Sequence, residues 1–289
     1  MFQAIRDCVV RSKARFTDVA LDRFEVRVAR TVEEYEQAFR LVHVGYVFQG
    51  IEPLSKMDLR ITEHHVLPEA TVLAVFEKEQ LVGTITVTQD SPAGLPLDRD
   101  YPEAMAALRE EGASIAEIGS FAIVRRCWRS GVAQLLSLAA TRFAVQVLGV
   151  SHVVVGTHPT AAQFYRAVWA FEPLGAPKQH AELHHAPVIG MVTERERNAR
   201  HLKAHFSKPM QSGFSPFEHV YSAEARIPGF DPPGDFRTRD LARWKMNRSV
   251  FRELFVERSN RLAGLSRATL DQLRRERSDE TLGSFMVVA

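Results

Sequence analysis

EIGSFAIVRRCWRSGVA, residues 117–133, changes character halfway along, and that change decides how the rest of the chain is read. Its first half is apolar and strand-like. Its second half is a basic turn carrying Arg125, Arg126 and Arg129, after which Gly131, Val132 and Ala133 open a helical apolar pattern that runs to Gly149. A strand that feeds a helix through small residues points unpaired backbone N–H groups at one spot, and glycine lets a ligand approach closely. These residues alone fit an anion-holding turn and an ordinary strand-to-helix crossover equally well.

Upstream, residues 24–30 (FEVRVAR) alternate apolar and charged side chains as a half-buried strand does. Thr31 followed by Glu34 is a capping-box start for a helix running towards Gly45. Strands at 71–76 and 81–88, joined by a polar turn at 77–80, form a hairpin. A turn-rich loop (SPAGLPLDRDYP) leads to a short helix that Gly112 stops, and a strand at 113–124 brings the chain back to the opening segment. Downstream, 151–158 (SHVVVGTH) reads as an interior parallel strand, 160–170 as a helix, 171–174 as a strand and 187–193 as the last strand. The pattern is a mixed α/β sheet without the GxGxxG of a dinucleotide fold.

The composition is that of a globular chain, 45% hydrophobic and 25% charged over 289 residues. No run approaches the roughly 18 apolar residues of a membrane span, and the start lacks a secretory apolar core, so a cytoplasmic protein is expected. Cys8 and Cys127 lack metal or redox spacing. The net charge of +2 conceals an asymmetry: residues 1–194 hold 19 Lys/Arg and 23 Asp/Glu, and residues 195–289 hold 18 and 12. That change of sign divides the chain into an amphipathic extension at 1–23, a catalytic domain at 24–194 and a basic, mainly helical segment at 195–289. Its helices are expected within 241–265 and 267–280. Phe2, Ile5, Val9 and Phe16 of the extension would suit contact with a membrane surface, the alternative being a frayed or self-packed terminus.

Several motifs occur together in one order. They are GLPLD at 94–98, LREEG at 108–112 before AEIGSFAI, the pair His158–Pro159 leading into Phe164 and Tyr165, and APVIGM at 186–191. In this combination residues 24–194 resemble the Gcn5-related acyltransferases, and within them the N-acyl amino acid synthases of the FeeM type, which are related to the acyl-homoserine lactone synthases. The resemblance implies an α/β (α+β) fold with a central mixed, splayed β-sheet flanked by helices. It also implies transfer of a long acyl chain from an acyl carrier protein, or CoA, to the amine of an amino acid or similar small acceptor. Ser120 stands where the lactone synthases place an arginine, which argues against lactone formation from S-adenosylmethionine. Trp128 stands where many acetyltransferases have Gln or Arg, which weakens a simple acetyl-CoA assignment.

The mechanism so implied is direct attack of an amine on a thioester, with an acyl-phosphopantetheine as co-substrate and no permanently bound cofactor. Glu117, at a strand end, is the candidate base, the alternative being an ion pair with a nearby arginine. Backbone N–H groups around Phe121, Ala122 and Ile123 are candidates for holding the oxyanion. Tyr165 falls where the family's thiolate-protonating tyrosine sits, the alternative being a satisfied core aromatic. His158 is a second candidate for either proton step or a plain helix cap. Arg125, Arg126 and Arg129, with Gly131, Val132 and Ala133, would hold the pantetheine phosphate and attract an acidic carrier protein, or else form a solvated face. The tail arginines Arg237, Arg239, Arg243, Arg248 and Arg252 would serve the same docking. Asp58 and Arg60 are candidates for the acceptor's ammonium and carboxylate. His180, His184 and His185, and the pair His201 and His205, read as surface residues, so neither a metal nor a nucleic-acid partner is expected. The competing readings are an acetyl-CoA-dependent N-acetyltransferase and an inactive acyltransferase fold acting as a binding module.

Overall fold

The computed structural model describes residues 2–14, 16, 22–53, 58–180, 183–208, 214–230, 241–258, 262 and 264–276. Arg237 and Arg239 lie outside them.

After a first helix α1 (Phe2–Ser12), strand β1 (Glu25–Val28) runs into helix α2 (Val32–Phe48). The capping box is formed: Thr31 Oγ1 accepts from the Glu34 N–H at 3.2 Å, and the Glu34 carboxylate accepts from the Thr31 N–H at 3.4 Å and also from the Arg30 N–H at 2.7 Å. Strands β2 (Ala70–Glu77) and β3 (Gln80–Gln89) make the expected hairpin. Its turn places Lys78 and Glu79 at φ 49° and 64°, a mirror-image turn built without the Asn-Gly pair that usually marks one. Helix α3 (Pro102–Glu110), strand β4 (Ile115–Ile123), helix α4 (Val132–Arg142) and strand β5 (His152–Thr157) follow. A wider helical turn, Phe143–Leu148, continues α4 to Gly149. Helix α5 (Ala162–Trp169), the short strands β6 (Glu172–Pro173) and β7 (Lys178–Gln179), and strand β8 (Pro187–Glu194) complete the sheet.

The sheet order is β1-β2-β3-β4-β5-β8-β6, with β7 beside β8. All pairs are antiparallel except β4 and β5, so the sheet is mixed, as expected. One face packs on α4 and α5 through a large core that includes Leu135, Leu136, Val153, Val155 and Trp169. The other carries α2, through Tyr35 and Phe39, and the loop before α3, through Leu97 and Tyr101.

The segments on both sides of residues 24–194 reach these same cores. Phe16 is buried and packs edge-on to Trp169 and Phe206, with centroids 6.1 and 5.3 Å away. Helices α6 (Arg195–Phe206) and α7 (Pro216–Tyr221) add Leu202 and Val220 to the α4 core. Helix α8 (Arg248–Phe251), continued by a wider turn to Glu257, brings Phe251 and Phe255 against α2. Helix α9 (Arg267–Glu276) adds Leu273. Among the described residues no helix is long and apolar enough to cross a membrane. On α1, Ile5 and Val9 stay exposed.

Phe16 tests how firmly the first segment is tied to the body. Phe16→Ala is expected to lower unfolding stability by about 3–5 kcal/mol in denaturant titrations, as emptying a buried aromatic site does. Ile5→Ala, at an exposed position, is expected to stay within about 0.5 kcal/mol.

Candidate active site

The pairing of β4 with β5 covers only Ile115, Ala116 and Glu117 against His152, Val153 and Val154. Past Glu117 the two strands part. Just beyond, β4 also slips against β3: Thr86 faces Gly119 and Thr84 faces Ala122, so Ser120 and Phe121 together oppose Ile85. Ser120 takes up the extra residue at φ 46°, the left-handed region that a serine enters at a cost. The splay expected from the resemblance is therefore present, with a bulge at its apex.

A cavity of about 810 Å3 passes through this opening. On the α2 and α3 side its walls are polar, with Arg60, His64, His65, Thr86, Thr88 and Glu117. On the α4 side they are apolar, with Ile85, Ile118, Val155, Trp169 and Phe171. Ser137 and Thr141 of α4 also line it, but their hydroxyls donate back to the carbonyls of Ala133 and Ser137 at 2.8 and 2.7 Å. The volume is that of a ligand pocket rather than a packing defect.

Glu117 sits at the last paired position of β4, opposite Thr88 on β3 and Val154 on β5. It is 6% exposed, and its Oε2 accepts the Leu97 N–H at 2.8 Å. Burial pushes its carboxyl up to about 8; the Leu97 bond opposes the shift, and the charges of Asp98 and Asp100 add to it. The loop bearing Leu97 is itself braced. Asp98 accepts the Leu95 N–H at 2.6 Å and pairs with Arg109 at 2.6 Å, while Arg109 reaches Asp90 at 2.7 Å. The ion pair with an arginine weighed for Glu117 is not formed among the described residues.

Tyr165 and His158 line the same cavity as Glu117. Tyr165 packs edge-on to Phe164 and Phe171, and burial raises its phenol above the usual range, with Thr157 as a hydrogen-bond partner. His158 Nδ1 accepts the Thr160 N–H at 3.3 Å and lies 2.8 Å from Thr160 Oγ1, so that nitrogen caps the turn leading into α5 while the ring faces the cavity.

The expected donor-binding residues divide. Phe121 lines the cavity and is partly exposed, whereas Ala122 and Ile123 are paired with Thr84 and Gly83 in the ladder. Gly131 precedes α4 at φ 85°, a conformation that favours glycine, and Val132 is buried against Gly83. Arg126 is committed elsewhere, to Glu77 and to Gln80 at 3.2 Å. Arg125 lies over the exposed rings of Phe48 and Trp128 at 5.7 and 5.8 Å, and Arg129 is exposed. None of the three arginines lines the cavity. Of the two acceptor candidates, Arg60 lines it and Asp58 does not. Asp58 is exposed at φ 47° and faces Arg40 at 3.8 Å. Arg60 pairs with Glu52 at 3.0 Å, Glu52 holds His43 Nδ1 at 3.1 Å, and the Arg60 guanidinium lies 4.8 Å from the centre of the Tyr46 ring.

Sequence reasoning missed His64, His65, Thr86, Thr88 and Tyr46, and it placed His180 on the surface. His180 lines the cavity and lies 3.7 Å from Asp100. His184 also lines it, while His201 Nε2 sits 2.9 Å from the Ala167 carbonyl. The alternation of threonines at 84, 86 and 88 was the one available signal, since it marks a polar stripe on one face of an otherwise apolar strand.

The chain shares its fold with a solved structure and its sequence pattern with one protein family. Among curated proteins none matches the chain in sequence. Among solved structures, FeeM, an N-acyl amino acid synthase from uncultured soil microbes, is 26% identical, with a TM-score of 0.55 over 62% of this chain and 94% of that one. Two acyl-homoserine lactone synthases are more distant. LasI is 16% identical, with a TM-score of 0.48 over 63% of this chain and 93% of that one. BjaI, a CoA-dependent enzyme solved with S-adenosylmethionine and isopentyl-CoA, is 17% identical, with a TM-score of 0.46 over 63% and 89%. The family model described as N-acyl amino acid synthase FeeM matches residues 37–194, more than half of the sequence. This chain therefore belongs to the FeeM family of N-acyl amino acid synthases, acyltransferases built on the Gcn5-related fold.

Proposed function

We propose that this acyltransferase moves a long acyl chain from a pantetheine thioester, carried on acyl carrier protein or on CoA, to the amine of an amino acid. The observation that carries this is the two-sided cavity. Its apolar chamber under α4 suits an alkyl chain, its polar chamber beneath α2 suits a zwitterion, and the splay joins them where a thioester would lie. A short-chain acetyltransferase has no use for the apolar half. An inactive binding module has no use for a carboxyl held protonated at the junction.

In the polar chamber Arg60, oriented by Glu52 and Tyr46, takes the acceptor's carboxylate. The amine then faces Glu117. The Glu117 carboxylate takes a proton from the ammonium, the lone pair so freed attacks the thioester carbon as the carbonyl π electrons move onto oxygen, and the second proton lost from nitrogen leaves to solvent. Collapse of the oxyanion re-forms the carbonyl and expels the thiolate, which takes its proton from Tyr165 and leaves as a thiol. The first turn of α4, from Gly131 to Ala133, and the flanking Arg125 and Arg129 hold the phosphate end of the donor. The aromatic pair Phe48 and Trp128 around Arg125 offers a carrier protein an apolar contact beside positive charge.

Purified protein incubated separately with palmitoyl carrier protein, palmitoyl-CoA and acetyl-CoA, each with a pool of amino acids, is expected to release a long-chain N-acyl amino acid detectable by mass spectrometry. Products from acetyl-CoA alone would establish the acetyltransferase reading instead.

Glu117 supplies a second test, in pH. As the base it must be ionised, so kcat/KM is expected to rise with pH on a limb centred near 8. Glu117→Gln is expected to abolish that limb and lower kcat by about 10²- to 10⁴-fold. Stability moves the opposite way. A carboxyl whose folded value lies above its unfolded one favours the protonated folded state, so stability is lost as pH rises from about 4.5 to about 8. Thermal unfolding at pH 5 and pH 8 should show wild type losing ground to Glu117→Gln at the higher pH.

A further inference from the structure

Beside the proposed site the polar chamber holds a buried imidazole that the mechanism above leaves unused. His65 is 5% exposed and sits in the helical turn Glu63–Val66 that leads into β2, its ring 4.7 Å from that of Phe39. Its two nitrogens have different surroundings. Nδ1 accepts the Thr62 backbone N–H at 2.9 Å, and a backbone N–H can only donate. The ring proton therefore resides on Nε2. That Nε2–H faces two hydroxyl oxygens, Ser120 Oγ and Thr86 Oγ1, each 3.4 Å away.

Ser120 is the bulge residue at the point where β4 has lost β5, and its side chain lines the cavity. An oxygen that accepts the Nε2–H has its own proton left to give, and the cavity is where an acceptor for it would be. A serine is also an uneconomical choice at φ 46°, where glycine fits without strain.

We propose that the Ser120 hydroxyl is a catalytic hydrogen-bond donor to the thioester oxygen as negative charge develops on it, and that His65, fixed as the Nε2–H tautomer, is the positioning residue that turns the hydroxyl proton towards the cavity. The proposal rests on the acyl-transfer reading and adds to it a side-chain donor at the bulge. Ser120 itself gives up no proton: the amine's lone pair forms the C–N bond, the π electrons move onto oxygen, and the Ser120 O–H shortens its hydrogen bond to that oxygen until the C–S bond breaks, while the protons of nitrogen and sulfur move as described above. Burial keeps the imidazole neutral, so the pair works without a titration of its own.

The experiment compares wild type, Ser120→Gly, His65→Phe, His65→Gln and the double variant Ser120→Gly/His65→Phe. Each is assayed, with the pool of amino acids as acceptors, for thiol release from whichever of palmitoyl carrier protein and palmitoyl-CoA the wild type consumes. Glycine suits the backbone at 120, and thermal unfolding reports whether each variant is folded. Ser120→Gly is expected to lower kcat by about 10²- to 10³-fold, with KM for the thioester changed by less than about threefold. His65→Phe should lower kcat by about tenfold, and His65→Gln, which retains an N–H donor, by less. Because His65 acts through Ser120, the double variant should be no slower than Ser120→Gly alone. Folded Ser120→Gly within about twofold of wild-type kcat, or losses that multiply in the double variant, would overturn the assignment while leaving the acyl-transfer reading in place. Wild type that releases thiol from no long-chain donor removes the acyl-transfer reading and this assignment together.

Discussion

Everything at the site depends on the pairing of β4 with β5 ending at Glu117. A parallel pair that continued would close the sheet, fill the gap between its two faces and leave Glu117 in a sealed core. Two features prevent this. The bulge at Ser120 turns β4 away by placing two residues against Ile85, and β5 runs on to Thr157 alongside β8, which keeps it from following. The gap so made is bounded by strand backbone on both sides, so Glu117, Ser120 and Val155 are held at its edges by the sheet. That is the rigidity a reaction between two separately delivered substrates needs.

The opening also explains why a carboxyl can be buried at the end of the paired stretch. An isolated carboxylate there would be costly, and the structure offsets the cost in two ways. Glu117 stays protonated over much of the neutral range, and it accepts one well-aligned N–H from Leu97. The loop carrying Leu97 has little freedom, because Arg109 grips Asp98 and Asp90 at once. GLPLD and LREEG thus reach the Glu117 carboxyl through a single backbone N–H. Gly190 belongs to the same support. A Cβ there would lie 2.8 Å from the Tyr101 ring, which packs beneath that loop.

The sheet was legible because its signals are local. The Thr31–Glu34 capping box, the hairpin at 70–89, the β-branched run at 152–157 and the apolar helix ending at Gly149 each announce themselves within a dozen residues. Glu117, Tyr165 and His158 were placed by the order of motifs, and the fold does bring them to one cavity. What the sequence hid is tertiary. His65 reads as one of two adjacent histidines in a loop, and only the approach of the 62–66 turn to β3 and β4 gives it neighbours. His180 looked like part of a surface histidine run, yet β7 turns it inward beside Asp100. Arg126 looked like a phosphate ligand because its partner Glu77 is 49 positions away on the hairpin. The positive φ of Ser120, which marks the bulge, has no sequence signature at all, since serine rarely adopts it.

In the proposed reaction the two differently lined sides of the cavity impose an order on the chemistry. An alkyl chain lowered into the apolar side occupies the route through the sheet and excludes water from the junction. Glu117, the base of the proposed reaction, then faces a drier neighbourhood, in which a carboxylate is a stronger base and each hydrogen bond to a developing oxyanion counts for more. In the same proposal a zwitterionic acceptor arriving from the polar side meets Arg60 first. Binding its carboxylate there spends none of the groups at the junction, because Arg60 is oriented by Glu52 and His43 behind it rather than by anything on β4. The separation matters for selectivity too. Water is small enough to reach the thioester carbon from either side, but with the apolar chamber filled its remaining approach passes the position held by the acceptor's amine. Hydrolysis is then suppressed by the same occupancy that promotes acyl transfer.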